Sequence, residues 1–309
     1  MNIRSLVALV RPRQWTKNIV CLAGAFFGGH IFEPHSAIRA CLAAAAFCAT
    51  SSFVYILNDV LDRDRDRNHP SKRFRPVASG DVTVPQALGF ALIALCVAIG
   101  IGASVGPEVL GLLASYAALN VCYSAVLKNL SLVDATVVAA GFILRIYAGT
   151  VAVGVSPSAW ILLCTFFLAL FLAFGKRRAE VNSVSGQLAA PRTVVPDCDA
   201  PVLDINATRA VLHKYNVAML DRFCNICATL CISSYALFTV LGRADHSLII
   251  TTPPVVMGIF RYLLLVERYQ EGEAPDAILL KDWPIQLAIV IWAVLYIAVL
   301  YCGLRIDVQ

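Results

Sequence analysis

The segment that decides the fold is residues 38–66, which reads IRACLAAAAFCATSSFVYILNDVLDRDRD. It opens with an apolar stretch of about 20 residues, the length that a helix needs to cross a bilayer core of about 30 Å. One amide and three carboxylates follow directly, on Asn58, Asp59, Asp62 and Asp66. If the helix continues, Asn58, Asp62 and Asp66 lie four residues apart on one face, with Asp59 at its edge.

This spacing predicts a magnesium site. Carboxylates on one helix face repel each other and favour a cation between them. Mg²⁺ takes oxygen ligands and commonly shares them with substrate phosphates. We therefore predict that Asn58, Asp59, Asp62 and Asp66 hold Mg²⁺, and that the three aspartates serve catalysis. The alternative is a solvated helix end whose acids are neutralised by the arginines between them.

Apolar runs recur along the whole chain. Of its 309 residues, 59% are hydrophobic and 15% are charged, and the mean hydropathy is +0.74. An average soluble domain carries roughly 25% charged residues. The sequence thus predicts an all-α, polytopic membrane protein with nine transmembrane helices, preceded by an amphipathic surface helix at 2–15. The nine runs are 18–32, 38–57, 86–104, 109–127, 132–153, 158–175, 217–241, 247–266 and 284–303.

The distribution of positive charge predicts the orientation. With nine spans, the loops on the N-terminal side hold 19 of the 25 Lys and Arg residues. Because cytoplasmic loops are enriched in Lys and Arg, we expect a cytoplasmic N-terminus and an outside C-terminus in the cell inner membrane. The acidic residues cluster on the same side, which is where we look for function. The Pro- and Ser-containing stretch 181–209 on that side is predicted to be a poorly ordered insert.

A basic loop follows the acidic segment. Pro70 and Pro76 bracket Lys72, Arg73 and Arg75. Arg can grip a phosphate with two donors, whereas Lys acts as a point charge. An acidic metal site beside such a loop is the arrangement that a magnesium diphosphate needs. The alternative is a basic loop that sets only the topology.

The segment from Asn58 to Asp66 resembles the first aspartate-rich motif of the UbiA-type prenyltransferase superfamily. The resemblance extends over most of the chain outside the insert. It implies a helical bundle around a central cavity that opens near the cytoplasmic face. It also implies that 1–309 forms a single UbiA-like transmembrane domain.

One position departs from the usual pattern of that superfamily. Ordinary members carry a second aspartate-rich motif after the sixth span, where this chain has Lys176-Arg177-Arg178-Ala179-Glu180. The chain is similar instead to the decaprenyl-phosphate phosphoribosyltransferase branch, in that stretch and in the stretch from Arg11 to Asn18. The resemblance implies phosphoribosyl pyrophosphate as the donor, a polyprenyl phosphate as the acceptor, and pyrophosphate as the second product.

The substrates implied by the resemblance carry three anionic groups, which call for many cations. We expect the substrate-binding residues to be Lys17, Lys72, Arg73, Arg75, Tyr123, Lys128, Arg145, Lys176, Arg177 and Glu180. Arg145 lies deep in the fifth predicted span, and an intramembrane arginine usually faces a cavity or a partner. It binds a lipid phosphate or pairs with an acid such as Asp134, and the sequence does not choose between these.

Two other functions compete with this one. The first is a prenyltransferase that moves a polyprenyl group from its diphosphate to an aromatic or other hydrophobic acceptor. The second is a transporter or scaffold, although transporters more often show inverted repeats and polar breaks at mid-membrane. Besides the bilayer and the two substrates, we expect no nucleic-acid partner. The sequence is compatible with a homo-oligomer.

Overall fold

The computed structural model describes residues 3–68, 72–189, 214–241, 246–268, 278–279 and 281–305. In these ranges the regular elements are helices, without strands, which confirms the all-α prediction. The α-helices are α1 (Ile3–Val10), α2 (Ala23–Phe27), α3 (Pro34–Leu61), α4 (Arg63–Arg67), α5 (Pro76–Ser79), α6 (Val84–Val105), α7 (Pro107–Ala125), α8 (Val133–Ala152), α9 (Ala159–Ala189), α10 (Val217–Leu241), α11 (Thr252–Arg268) and α12 (Trp283–Tyr301). Short 3-10 helices cover Pro12–Leu22, Lys72–Phe74, Leu127–Asn129 and Ser247–Thr251.

Eight helical segments of the described chain are long and apolar enough to cross a membrane. They are α3, α6, α7, α8, the Ala159–Asn182 part of α9, α10, the segment Ser247–Arg268 that contains α11, and α12. Each corresponds to one of the nine predicted spans. The predicted run 18–32 is divided instead between the 3-10 helix Pro12–Leu22 and the short α2.

The amphipathic N-terminal helix is shorter than the predicted 2–15. α1 ends immediately before Arg11, because the residue before a proline disfavours the helical conformation and Pro12 follows. Arg11 takes a left-handed conformation with φ 55° and ψ 60°, and a 3-10 helix begins at Pro12. Trp15 donates from Nε1 to Ser52 Oγ at 3.0 Å and keeps 38% of its surface exposed.

The chain forms two compact units. The first comprises Met1–Lys128, Gly141–Pro157 and Cys198–Thr208, the last of which lies outside the described residues. Within it α3 packs along α6, and the buried rings of Phe47 and Tyr116 join α3, α7 and α8 in one apolar core. This unit contains the complete acidic segment that the sequence singled out.

Two contacts hold the helices of the first unit in register. A Cβ on Gly149 would lie 1.8 Å from the backbone oxygen of Cys21, so α8 and the 3-10 helix Pro12–Leu22 approach as closely as their backbones permit. Arg39 donates from Nε to the Ala152 carbonyl at 2.5 Å and from Nη2 to the Val105 carbonyl at 2.6 Å. These carbonyls end α8 and α6, so one guanidinium group satisfies acceptors that helix C-termini leave open.

The second unit comprises Asn129–Ala140, Ser158–Asp197 and Arg209–Gln309. Its core is made by α9, α10 and α11, with Phe171, Leu220 and Tyr262 among the buried side chains. The predicted insert 181–209 begins within α9, which continues to Ala189. The rest of the insert lies outside the described residues. The single domain 1–309 stays a prediction.

Candidate active site

The polar end of α3 continues as a nearly unbroken helical path. Asp62 ends α3, yet its backbone N–H donates to the Asn58 carbonyl and its carbonyl accepts from the Asp66 N–H, both at 2.8 Å. Residues seven apart therefore lie two turns apart on one face. Asp59 and Asp66 are related in this way, and both are buried.

Two arginines close over the buried pair of carboxylates. Arg11 Nη2 donates to Asp59 Oδ1 at 2.5 Å. Arg75 Nη1 lies 3.2 Å from the same oxygen and 2.7 Å from Asp66 Oδ2. The Asp59 side chain is 2% exposed, and its second oxygen is buried without a hydrogen-bond partner in the described part of the chain. Arg75 therefore lies between two carboxylates, which is where a bridging cation would lie.

The other two predicted ligands have different neighbours. Asn58 and Asp62 line a cavity of about 180 Å³ together with Leu61, Val121, Ser124 and Ala125. Lys128 Nζ lies 3.8 Å from Asp62 Oδ1. On a regular helix the four predicted ligands fall within an arc of about 100°. Their joint binding of one metal ion stays a prediction.

The donor chemistry of this helix end fits Mg²⁺. Within the described ranges, no three His, Cys, Asp or Glu side chains lie close enough to hold a metal alone. Mg²⁺ commonly needs one or two carboxylates, because waters and substrate phosphates supply the other ligands. Asp59 offers a buried oxygen without a hydrogen-bond partner among the described residues, and Arg11 and Arg75 lie where they can bind the phosphates that accompany the metal.

The remaining cations of the first unit lie nearby in sequence but make other contacts. Lys17 donates to Gln14 Oε1 at 2.8 Å. Arg73 is exposed and lies over the Phe74 ring, 4.9 Å from its centroid. Lys72 and Tyr123 are partly buried. The structure thus joins Arg75 and Lys128 to the acidic segment, while binding by Lys17, Lys72, Arg73 and Tyr123 stays a prediction.

Arg145 is held entirely by the protein. It is 5% exposed. Its Nε donates to Asn18 Oδ1 at 2.7 Å, Nη1 to the Gly141 carbonyl at 2.8 Å, and Nη2 to Tyr116 OH at 2.8 Å. Asp134 is not among these partners. Arg145 thus ties the 3-10 helix Pro12–Leu22 to α7 and α8, and its binding of a lipid phosphate stays a prediction.

Arg177 is also occupied, within the second unit. Its Nε donates to Asp134 Oδ2 at 2.8 Å and its Nη1 to Glu180 Oε2 at 2.6 Å. Asp134 is fully buried, and Tyr215 OH donates to its other oxygen at 3.1 Å. Burial raises the pKa of Tyr215 above its ordinary value, so this tyrosine is a neutral donor at pH 7. Binding of a substrate by Arg177 and Glu180 stays a prediction.

Arg178, which follows, makes a second ion pair in this unit. Its Nε donates to Asp221 and its Nη1 to the Val266 carbonyl at 2.7 Å. Lys176 is the exposed member of the three cations. The sequence predicted that the cations after the sixth span bind an anion. Arg177 and Arg178 instead form ion pairs with acids of their own unit, namely Asp134, Glu180 and Asp221.

Arg11 is the site residue that sequence reasoning missed. It was recognised as part of a matching stretch but was given no role, because its partner Asp59 lies 48 residues away. A local signal was present, since Arg11 precedes a proline and therefore falls at a break between helices. Sequence reasoning also missed Ser124, which lines the cavity with Asn58 and Asp62.

The fold and the site together define a multi-pass, all-helical membrane protein whose acidic helix end is met by arginine and lysine. The model of the UbiA prenyltransferase family matches residues 18–283, and the chain belongs to that family. The decaprenyl-phosphate phosphoribosyltransferase of Corynebacterium glutamicum is 33% identical over 306 residues, which cover 96% of this chain and 86% of that protein. The protein of the same name from Mycobacterium tuberculosis is 31% identical, with coverages of 94% and 92%.

Solved structures agree on the fold. A UbiA homolog from Archaeoglobus fulgidus bound to GPP and Mg²⁺ matches with a TM-score of 0.68 at 18% identity. The match covers 96% of this chain and 99% of that one. At this identity the likeness concerns the fold alone.

Proposed function

We propose that this protein moves the 5-phosphoribosyl group of phosphoribosyl pyrophosphate onto a polyprenyl, decaprenyl-type phosphate and releases pyrophosphate. The observation that carries the proposal is its 33% identity, over 96% of the chain, to a phosphoribosyltransferase of that acceptor class. The geometry adds support, because carboxylates and cations meet at one helix end of the first unit. A magnesium diphosphate needs both.

The proposed roles follow from the two pairs of acidic-segment residues. Asp59 and Asp66, with Arg11 and Arg75, would receive the pyrophosphate end of the donor. Asn58 and Asp62 would face the reacting centre, because they line the cavity. We propose that the remaining phosphoryl oxygens are bound by Lys17, Lys72, Arg73, Tyr123 and Lys128. Lys176 is proposed as a phosphate-binding cation of the second unit.

The chemistry needs positioning and charge more than proton transfer. An oxygen of the lipid phosphate forms a bond to the anomeric carbon, and the bond from that carbon to pyrophosphate breaks. The acceptor is already an anion at pH 7, so no general base is needed. Fixed cations that stabilise charge developing on the leaving oxygen provide this kind of catalysis. Mg²⁺ held by Asn58, Asp59, Asp62 and Asp66 would supply Lewis-acid stabilisation of the pyrophosphate.

We further propose the nine crossings that the sequence predicts, the first of which begins near Asn18 in the 3-10 helix Pro12–Leu22 and continues through α2. Leu22 and Ala23 are both in right-handed helical geometry, so the helical path continues across their junction. A 3-10 helix rises about 2.0 Å per residue and an α-helix about 1.5 Å. Residues 18–27 therefore span about 17 Å, so this crossing is shorter than a bilayer core of about 30 Å.

The orientation proposed is a cytoplasmic N-terminus in the inner membrane, with the cavity opening to the cytoplasm. Reporter fusions at the N-terminus and at Gln309 should then report opposite sides, since nine crossings separate the two ends of the chain. Reports from the same side would contradict nine crossings. They would favour the eight segments that meet the length and hydropathy criteria in the described residues.

The substrate is tested by following label in purified protein with Mg²⁺. We expect label to move from phosphoribosyl pyrophosphate to a polyprenyl phosphate, with pyrophosphate released in equal amount. We expect no prenylation of an aromatic acceptor such as 4-hydroxybenzoate from a polyprenyl diphosphate. Label that moves from the prenyl diphosphate to the aromatic ring, and not from phosphoribosyl pyrophosphate, would establish the prenyltransferase alternative instead.

A further inference from the structure

Arg11 contacts the Asp59 carboxylate at the place where a bound metal ion would also lie. It donates to Asp59 Oδ1 at 2.5 Å, and Arg75 donates to the same oxygen at 3.2 Å. The other Asp59 oxygen is buried and has no hydrogen-bond partner among the residues that the structure describes. A divalent cation that approached Asp59 would therefore meet two guanidinium groups within hydrogen-bonding distance of its ligand, and like charges at that range repel strongly.

We propose that Arg11, together with Arg75, prevents free divalent cations from binding the carboxylates of Asp59 and Asp66. These carboxylates then bind a metal only when it arrives with a diphosphate. The inference rests on the proposed function insofar as the donor is a diphosphate. When the metal takes the carboxylate, each guanidinium group transfers its hydrogen bonds to phosphate oxygens. Positive charge stays beside the carboxylates before and after the exchange, so neither state leaves buried charges uncompensated.

The side chain of Arg11 has a second contact that keeps it near the site when Asp59 is released. Its guanidinium carbon lies 5.3 Å from the centroid of the Tyr55 ring. Tyr55 precedes Asp59 by one helical turn on α3, so it lies on nearly the same face. A guanidinium group stacked on an aromatic ring remains available for bidentate contact with a phosphate.

The backbone at Arg11 is anchored by other groups. Ser52 Oγ shares its one proton between the Val10 carbonyl at 3.0 Å and the Cys48 carbonyl at 2.9 Å, and accepts from Trp15 Nε1 at 3.0 Å. The chain on both sides of Arg11 is thus fastened to α3 without its guanidinium group. The left-handed conformation at φ 55° is uncommon for a non-glycine residue and persists where surrounding structure imposes it. Arg11→Gln is therefore expected to remove the charge and leave the fold intact.

The test measures metal binding, so it does not depend on turnover. Detergent-purified protein, stripped with EDTA, is titrated with Mn²⁺, and free Mn²⁺ is followed by electron paramagnetic resonance with and without pyrophosphate. Wild type should bind free Mn²⁺ weakly and bind Mn²⁺ with pyrophosphate tightly. Arg11→Gln should bind free Mn²⁺ about tenfold or more tightly than wild type, the scale on which one adjacent charge shifts an ionic equilibrium. It should also lose affinity for the pyrophosphate complex.

Two further variants make the result decisive. Arg65→Gln removes an equal charge from the same acidic segment at an exposed position and should behave as wild type in both titrations. Arg11→Lys keeps the charge without the fork of donors, so it should exclude free Mn²⁺ but bind the pyrophosphate complex less well.

Two results would overturn the proposal. One is an affinity of folded Arg11→Gln for free Mn²⁺ that lies within twofold of the wild-type affinity. The other is an equal gain in affinity for free Mn²⁺ in Arg65→Gln. If Arg11→Gln does not fold, wild-type exclusion by Arg11→Lys supports the proposal, and tight binding of free Mn²⁺ overturns it.

The outcome is separable from that of the proposed function. Pyrophosphate is the probe, so the titration gives the same answer whichever group the enzyme transfers. Failure of phosphoribosyl transfer with intact exclusion of free Mn²⁺ would reject the proposed donor and keep the role of Arg11. If phosphoribosyl transfer is observed and wild type and Arg11→Gln bind free Mn²⁺ equally well, the proposed donor is kept and the role of Arg11 is rejected.

Discussion

Replacing Asp62 by alanine is expected to lower phosphoribosyl transfer by at least about 100-fold, the scale for losing one stabiliser of developing charge. The protein should stay folded, because the side chain lines a cavity and is 36% exposed. Its ion pair with Lys128 is long, at 3.8 Å, and an exposed pair of this kind contributes about 0–1 kcal/mol. Turnover and melting temperature in detergent are measured side by side.

Asp64→Ala is the matched control for Asp62→Ala. Its side chain is 91% exposed and lies 3.8 Å from Arg67, so it removes an equal charge two residues away without touching the cavity. We expect near wild-type turnover for this variant. Activity of the wild type should vanish with EDTA and return with Mg²⁺. Full activity in Asp62→Ala would remove the argument that this helix end holds the metal.

Much of the fold follows from residue patterns alone. Eight apolar runs form helices close to their predicted ranges, since a lipid-crossing segment must satisfy its backbone hydrogen bonds internally and a helix does so locally. The exception is informative. Pro12 prevents α1 from continuing into the next apolar run, and the chain resumes as a 3-10 helix that ends against Gly149 of α8. The close approach of the backbones at Cys21 and Gly149 depends on tertiary packing. It therefore cannot be predicted from the sequence of either segment alone.

The candidate site was predictable in composition but not in its pairing. The helical repeat places Asp59 and Asp66 two turns apart, so their shared face was accessible from the sequence. Arg11 comes from 48 residues before Asp59, and the pairing of Arg177 with Asp134 joins residues 43 apart. Salt bridges of this kind depend on which helices are neighbours. A charge run such as Lys176-Arg177-Arg178 therefore looks like an anion site until its partners are known.

Replacing Arg177 by methionine should destabilise the protein by about 3–5 kcal/mol, because removing one partner of a buried pair leaves the other charge uncompensated. The sequence alone suggested instead a weaker hold on a phosphate substrate. The structure favours the larger effect, since the Arg177 side chain is 7% exposed and bonds Asp134, which is fully buried. The melting temperature in detergent measures the loss, and substrate affinity is measured on whatever folded protein remains.

A second substitution separates the two explanations. Arg177→Met combined with Asp134→Asn removes the stranded carboxylate and keeps an acceptor for Tyr215 OH, which now lies 3.1 Å from Asp134 Oδ1. Because loss of both charges costs far less than loss of one, the double variant should recover much of the stability. Lys176→Met, at the exposed neighbouring position, should melt as wild type and weaken a phosphate substrate. A folded Arg177→Met that melts as wild type but binds a phosphate substrate poorly would mean that its guanidinium group serves the substrate after all.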